Sequence, residues 1–364
     1  MVLTSVAVDI PIVFEDNLIC EDLIIDVPLV MEPVQWRECC IYKVPKKLRQ
    51  VNKEAYTPKL ISIGPFHHGE KDLRGEKELR DEENEDYFKD FCYRTGKCQK
   101  EIARIIEENE VKIRHCYAEI SKLNSEDFVK MVLVDSTFII ELFLRSQEKM
   151  KKDYILSKPW LEHGIKKDLM LLENRLPFFI LKELYDQISY SEKSNEISFL
   201  DLACGYFSFS KSKIPDGKEV KHFTDLVRYS YCLSIQYDKG DTISNLHSAT
   251  KLLLKVPRLT VDDATEVRFR NLMALEQCHY PSESYICNYI VLLDYLINTR
   301  EDVELFIENE IIINGLGSNE AVATMVNNLG LEIVENHSHY GEMAKKLNEH
   351  CENCYNHNMG TLSL

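Results

Sequence analysis

The chain has 364 residues, 45% of them hydrophobic and 29% charged, a composition of soluble globular proteins rather than disordered or fibrous ones. A chain of this length buries roughly three quarters of its unfolded surface, enough for one large core or two smaller ones without disulfides. Sixty Asp and Glu against 44 Lys and Arg leave a net charge of −16, which repels phosphate backbones and argues against nucleic acid as a partner.

Residues 1–35 mix acidic and β-branched residues with Pro11, Pro28 and Pro33 and read as a loosely docked N-terminal arm or a pair of short strands, with no basic start or cleavage site of a secretory signal. The 12 cysteines are scattered among apolar residues, which predicts reduced core thiols and a cytoplasmic protein. No stretch approaches 18 uninterrupted apolar residues, so no membrane span is expected. From residue 36 onward the chain reads as a single large domain. Lys59–Ile63 is strand-like, and Gly64-Pro65 then turns the chain into the pair His67-His68. The acidic run over 76–86 must be solvated.

Past Gly96, Ile102, Ile105, Ile106, Ile113, Cys116, Tyr117 and Ile120 recur at helical spacing and predict a long amphipathic helix. A second helix starts at a Ser125 or Asp127 cap and is apolar on almost every side, so it should be central. Further helices are expected over 168–174, stopped near Pro177, and over 178–187. Residues 188–265 carry turn signals at Gly205, Pro215-Asp216-Gly217 and Lys239-Gly240-Asp241 and read as irregular. Helices resume over 269–278, 284–297, 302–313, 320–329 and 340–355. There is no internal repeat and no alternation of strands and helices. The expected fold is mostly α, bundle-like, with a few short strands near the N-terminus and in the middle.

Six segments, in order, are CCIYKVPKKLR (39–49), AYTPKLISIGPFHHG (55–69), DSTFIIELF (135–143), DLMLLENRLPFFIL (168–181), RNLMALEQCHY (270–280) and FIENEIIINGLGSNEAVATMVNNL (306–329). Through them the chain resembles the plant-specific domain-of-unknown-function family 247. That resemblance implies no assigned activity for most members, a link to self-incompatibility for some grass members, and usually one C-terminal transmembrane helix. This sequence stops at Leu364, which predicts a member without the anchor, and its 248–259 stretch looks shortened against the family's longer β-rich one.

Five residues are candidates for acid–base chemistry. His67 and His68 follow a turn and titrate near neutral pH, although the same pair can simply cap a buried loop. Asp135, Glu141 and Glu173 sit in apolar helices, where a carboxylate is paired or has its pKa raised. Glu276-Gln277-Cys278-His279-Tyr280 offers a thiol beside an imidazole, but helix neighbours point about 100° apart, and a packing role fits better. Asp262-Asp263-Ala264-Thr265-Glu266 has the spelling of a magnesium site without its second half and reads as a solvated acidic loop. His350, Cys354 and His357 share a helix face at zinc-like spacing, with no second cluster to complete a site. Neither a metal nor a cofactor is expected. Two readings stay open: a protein that binds an apolar small molecule or a plant protein partner, and a metal-independent cyclase or isomerase of terpenoid-type specialised metabolism.

Overall fold

The computed structural model describes residues 36–69, 77–150, 152–188, 197–215, 217–237, 243–245, 252–254, 256–334, 340, 345 and 349. The N-terminal arm, nearly all of the helix expected over 340–355 and the His350–His357 motif lie outside them.

The fold is mostly α. Its elements in order are α1 (Lys46–Val51), α2 (Lys77–Thr95), α3 (Gln99–His115), α4 (Ser125–Gln147), α5 (Pro159–Asp168), α6 (Phe178–Tyr185), α7 (Phe199–Phe207) and α8 (Phe223–Tyr237). Strands β1 (Ile243–Asn245), β2 (Leu252–Leu254) and β3 (Leu259–Val261) follow, then α9 (Thr265–His279), α10 (Tyr285–Leu296), α11 (Arg300–Glu308), β4 (Ile312–Asn314) and α12 (Asn319–Leu329). β1 and β2 pair antiparallel, and β3 pairs in parallel with β4.

α4 is central, as its all-round apolar pattern requires. Asn124, one residue before the expected caps, accepts the Asp127 N–H and starts the helix, which is then surrounded by α2, α3, α6 and α7. Phe143 of α4 sits among Phe199, Tyr206, Phe207 and Phe223, with the Tyr206 ring centroid 4.3 Å away. A second core gathers α8, α9, α10, α11 and α12 with β3 and β4 around Phe269, Ile290 and Val326. A small cluster of Val44, Leu48, Tyr56, Leu172 and Leu275 is packed from α1, the following 3-10 turn, the 168–175 turn and α9.

Five local expectations differ, the first being that α3 ends at His115, short of the expected Cys116, Tyr117 and Ile120. Lys59–Ile63 bends at Lys59 and Leu60 and pairs with no strand, because side chains take its backbone donors: Asp168 accepts the N–H groups of Lys59, Leu60 and Ile61, and Asn174 that of Ile63. α5 ends at Asp168 and residues 169–174 are a series of tight turns, with Glu173 and Asn174 binding the distant backbone of Val44, Ile61 and Ile63 rather than supporting a helix. The helix expected over 302–313 ends at Glu308, Glu310 takes a positive φ of 56°, and Ile312–Asn314 leaves as β4. The stretch 188–265 is not irregular throughout: it contains α7, capped by Ser198, and α8. The acidic run is the start of α2, whose later turns bury Tyr87 and Phe91.

Candidate functional site

Glu173 lies at the end of the turns that follow α5 and is only 3% exposed. Its Oε1 accepts the Val44 N–H at 2.6 Å, while Oε2 takes the Arg49 guanidinium and stands 3.2 Å from Nε2 of the buried His67. Burial raises the pKa of this carboxyl, but hydrogen bonds from His67, Arg49 and Val44 outweigh it and hold the group below the usual range. Glu173 is therefore a carboxylate with its lone pairs committed. Burial, with the Cys39 thiol and Glu173 nearby, pushes the Cys278 thiol up to about 11, so it is no thiolate at neutral pH. His279 turns away and meets the Tyr42 hydroxyl through Nδ1 at 2.9 Å, as the angular offset of neighbouring helix residues requires.

The turn that delivers His67 depends on Gly64, whose φ is +73° and whose added Cβ would stand 2.4 Å from the Arg175 carbonyl oxygen. Asp135 of α4, 2% exposed, accepts the Gly64 N–H at 2.8 Å, and the Tyr117 hydroxyl donates to the Arg175 carbonyl at 2.9 Å. The paired histidines are thereby split, His67 inward and His68 at the surface. Glu141 lies elsewhere, nearly two helical turns beyond Asp135. It is fully buried against Arg94, which also binds Glu148 bidentately at 2.8 and 2.9 Å. Burial raises the Glu141 pKa to about 7, against the pull of Arg94 and Arg145. Of the five candidates, the structure brings His67 and Glu173 together, uses Asp135 to hold their turn, and leaves His68 and Glu141 apart.

Sequence reasoning missed a larger buried network. Arg175, fully buried, donates Nε to the Leu172 carbonyl and Nη1 to His222 Nδ1 at 2.8 Å. His222 Nδ1 also accepts the Asp225 N–H, so its proton sits on Nε2, which donates to the Cys40 carbonyl at 2.9 Å. Burial and Arg175 keep this imidazole neutral, its pKa well below the ordinary value, and burial lowers Arg175 to about 9. Arg228 and Glu276 form a second buried pair at 3.0 Å, and Glu276 Oε2 accepts the N–H groups of Ile286 and Cys287 in the first turn of α10. The only signal for these groups is an arginine or acid inside an apolar run, which sequence alone cannot pair.

The acidic Asp262–Glu266 motif opens α9: Asp262 accepts from the Ala264 N–H and Thr265 hydroxyl, and Glu266 pairs with Arg270 at 2.9 Å. Asp262 and Glu266 are thus spent on the start of α9. Among the described residues, no group of three or more His, Cys, Asp or Glu is arranged to hold a metal ion.

Two neighbouring clefts open on another face. One, of about 310 Å³, is lined by residues including Cys40, Cys116, Lys112, Phe179 and Lys221. The other, of about 750 Å³, shares Lys112, Phe179 and Val220 with it and adds Phe178, Phe199 and Leu200. None of the five candidates lines either cleft. Lys112 Nζ stands 4.0 Å over the Phe179 ring, while Lys182 pairs with Asp186 and Lys221 with Glu219.

The sequence pattern of domain-of-unknown-function family 247, described as a plant protein of unknown function, matches residues 41–252 and 238–364. The chain belongs to this family. UPF0481 protein At3g47200 of Arabidopsis thaliana is 27% identical over 390 residues, covering 90% of this chain and 80% of the relative. Putative UPF0481 protein At3g02645 of the same plant is 27% identical over 166 residues, 43% of this chain and 29% of the relative. No solved structure matches the chain. In this family-247 chain, the segments 39–49, 55–69, 135–143 and 168–181 that carry the resemblance meet in one network of hydrogen bonds. Among its described residues, no helix is long and apolar enough to cross a membrane.

Proposed function

We propose that this family-247 protein is a binding protein of the plant cytosol, and that it holds an apolar small molecule, or an apolar segment of a protein partner, in the cleft floored by Phe178, Phe179 and Phe199. The observation that carries this reading is the character of the cleft. Its floor is aromatic and aliphatic, while of its rim lysines Lys182 pairs with Asp186 at 3.3 Å and Lys218 with Glu283 at 3.5 Å. An ionic ligand gains little there, and an apolar one gains the area it covers, about 25 cal/mol per Å² before the costs of association. The cyclase or isomerase reading needs an acid or base facing the ligand, whereas His67 and Glu173 face each other and the backbone.

The test uses the neutral naphthalene dye N-phenyl-1-naphthylamine with the folded full chain. Half-exposed Phe179 is changed to Lys, which sets a charge in the floor. The dye affinity is expected to fall about tenfold or more in Phe179→Lys with an unchanged Tm. Equal affinity in both proteins, at equal folded fraction, would place binding elsewhere.

A further inference from the structure

The 310 Å³ cleft has a second chemical feature. Cys40, just before α1, and Cys116, closing α3, both line it, and both are free thiols. The Cys40 N–H donates to the Cys116 carbonyl at 3.0 Å, and the Ile41 N–H donates to the same oxygen at 2.9 Å. Ile41 and Tyr117, the residues after each cysteine, form a parallel β-bridge closed by the Ala118 N–H on the Ile41 carbonyl. Standard bond lengths then cap the separation of the two Cα atoms at about 7 Å, and a disulfide asks for about 4.4–6.8 Å. The Cys116 thiol donates to the Lys112 carbonyl at 3.3 Å, and its proximity together with burial raises the Cys40 pKa.

We infer that Cys40 and Cys116 form an oxidisable dithiol, a modification site that closes to an intramolecular disulfide when a small disulfide oxidant enters the cleft. With oxidised glutathione the step balances. One cysteine thiolate attacks a glutathione sulfur, breaking its S–S bond and releasing one glutathione; the second thiolate attacks the mixed disulfide at the protein sulfur and releases the other. The protein loses two protons and two electrons, and the oxidant becomes two thiols. Because the thiolate is the attacking species and burial disfavours it, closure is slow at pH 7 and accelerates toward pH 9. The product ties the 39–41 segment to the end of α3 and removes two thiols from the cleft wall. The inference does not depend on what the cleft binds.

The test incubates the native full chain with oxidised glutathione at pH 8, blocks remaining thiols by alkylation, and maps peptides by mass spectrometry. Exposed Cys98 reports that the oxidant acted, by carrying glutathione. The expected product is a Cys40–Cys116 linked peptide, with a Tm raised by roughly 5 °C and returned by dithiothreitol. Cys116→Ser abolishes both the linked peptide and the Tm shift. If that variant fails to fold, the wild-type peptide map decides alone. Glutathione on Cys98 with both Cys40 and Cys116 still alkylated, or either cysteine linked elsewhere, overturns the inference.

Discussion

Gly64 shows how one backbone position governs the candidate site. Its φ of +73° is open to glycine, and an added Cβ would meet the Arg175 carbonyl at 2.4 Å. Gly64→Ala is therefore expected to cost roughly 2–4 kcal/mol in urea unfolding, and a loss under 0.5 kcal/mol would show that the turn relaxes freely. The glycine was legible in the sequence as a turn, but its partner Arg175 was not, because that contact joins segments more than a hundred positions apart. Glu141 is governed by burial instead. Its folded pKa, about 7, lies above its unfolded value near 4.5, so the native state binds the extra proton. The stability linked to that proton is complete below about pH 4.5 and is lost as pH rises through about 7. Glu141→Gln should remove this slope, on the order of 2 kcal/mol between pH 5 and 8, as measured by urea unfolding at several pH values. An identical slope in variant and wild type would locate the proton elsewhere.

At the level of elements, Asp168 replaces a β-strand partner. A single carboxylate accepts three consecutive backbone donors, from Lys59, Leu60 and Ile61, at 2.6 to 3.0 Å. Asp168→Ala leaves those donors unpaired in a buried setting, at roughly 1–3 kcal/mol, and should speed amide exchange at Leu60 and Ile61 far more than in α4. Unchanged protection at those two amides would mean that packing alone holds the segment. The helices α3 and α4 were legible because their apolar patterns require one face or all faces to be buried. α3 nevertheless ends at His115, leaving Ile120 at 85% exposure, because Cys116 and Tyr117 turn to pair with Ile41. Lys59–Ile63 had the composition of a strand and 168–174 that of a helix, and both yielded to long-range side-chain bonds that no local pattern encodes. α7 and α8 were hidden by the Gly, Pro and Ser punctuation around them, though Ser198 is a legible cap.

Across the whole molecule, two large apolar cores enclose buried polar side chains that tie 168–175 to distant segments: Asp168 to Lys59, Leu60 and Ile61, Glu173 to Val44, Arg49 and His67, and Arg175 to His222. Buried ionic groups of this kind cost desolvation and fix register, so removing one partner is far more damaging than replacing both. Acid–base candidates could be named from the sequence because His and carboxylates in apolar surroundings stand out. Whether they face a ligand or the backbone is a property of the fold, and here His67 and Glu173 face inward while the aromatic cleft opens elsewhere. The central claim is that the network is architecture and the cleft is the binding surface. Glu173→Gln tests both halves at once when Tm and naphthalene-dye affinity are measured on the same preparation. The account predicts a Tm lower by roughly 5 °C or more, with dye affinity per folded molecule unchanged. An unchanged Tm with altered affinity would contradict it.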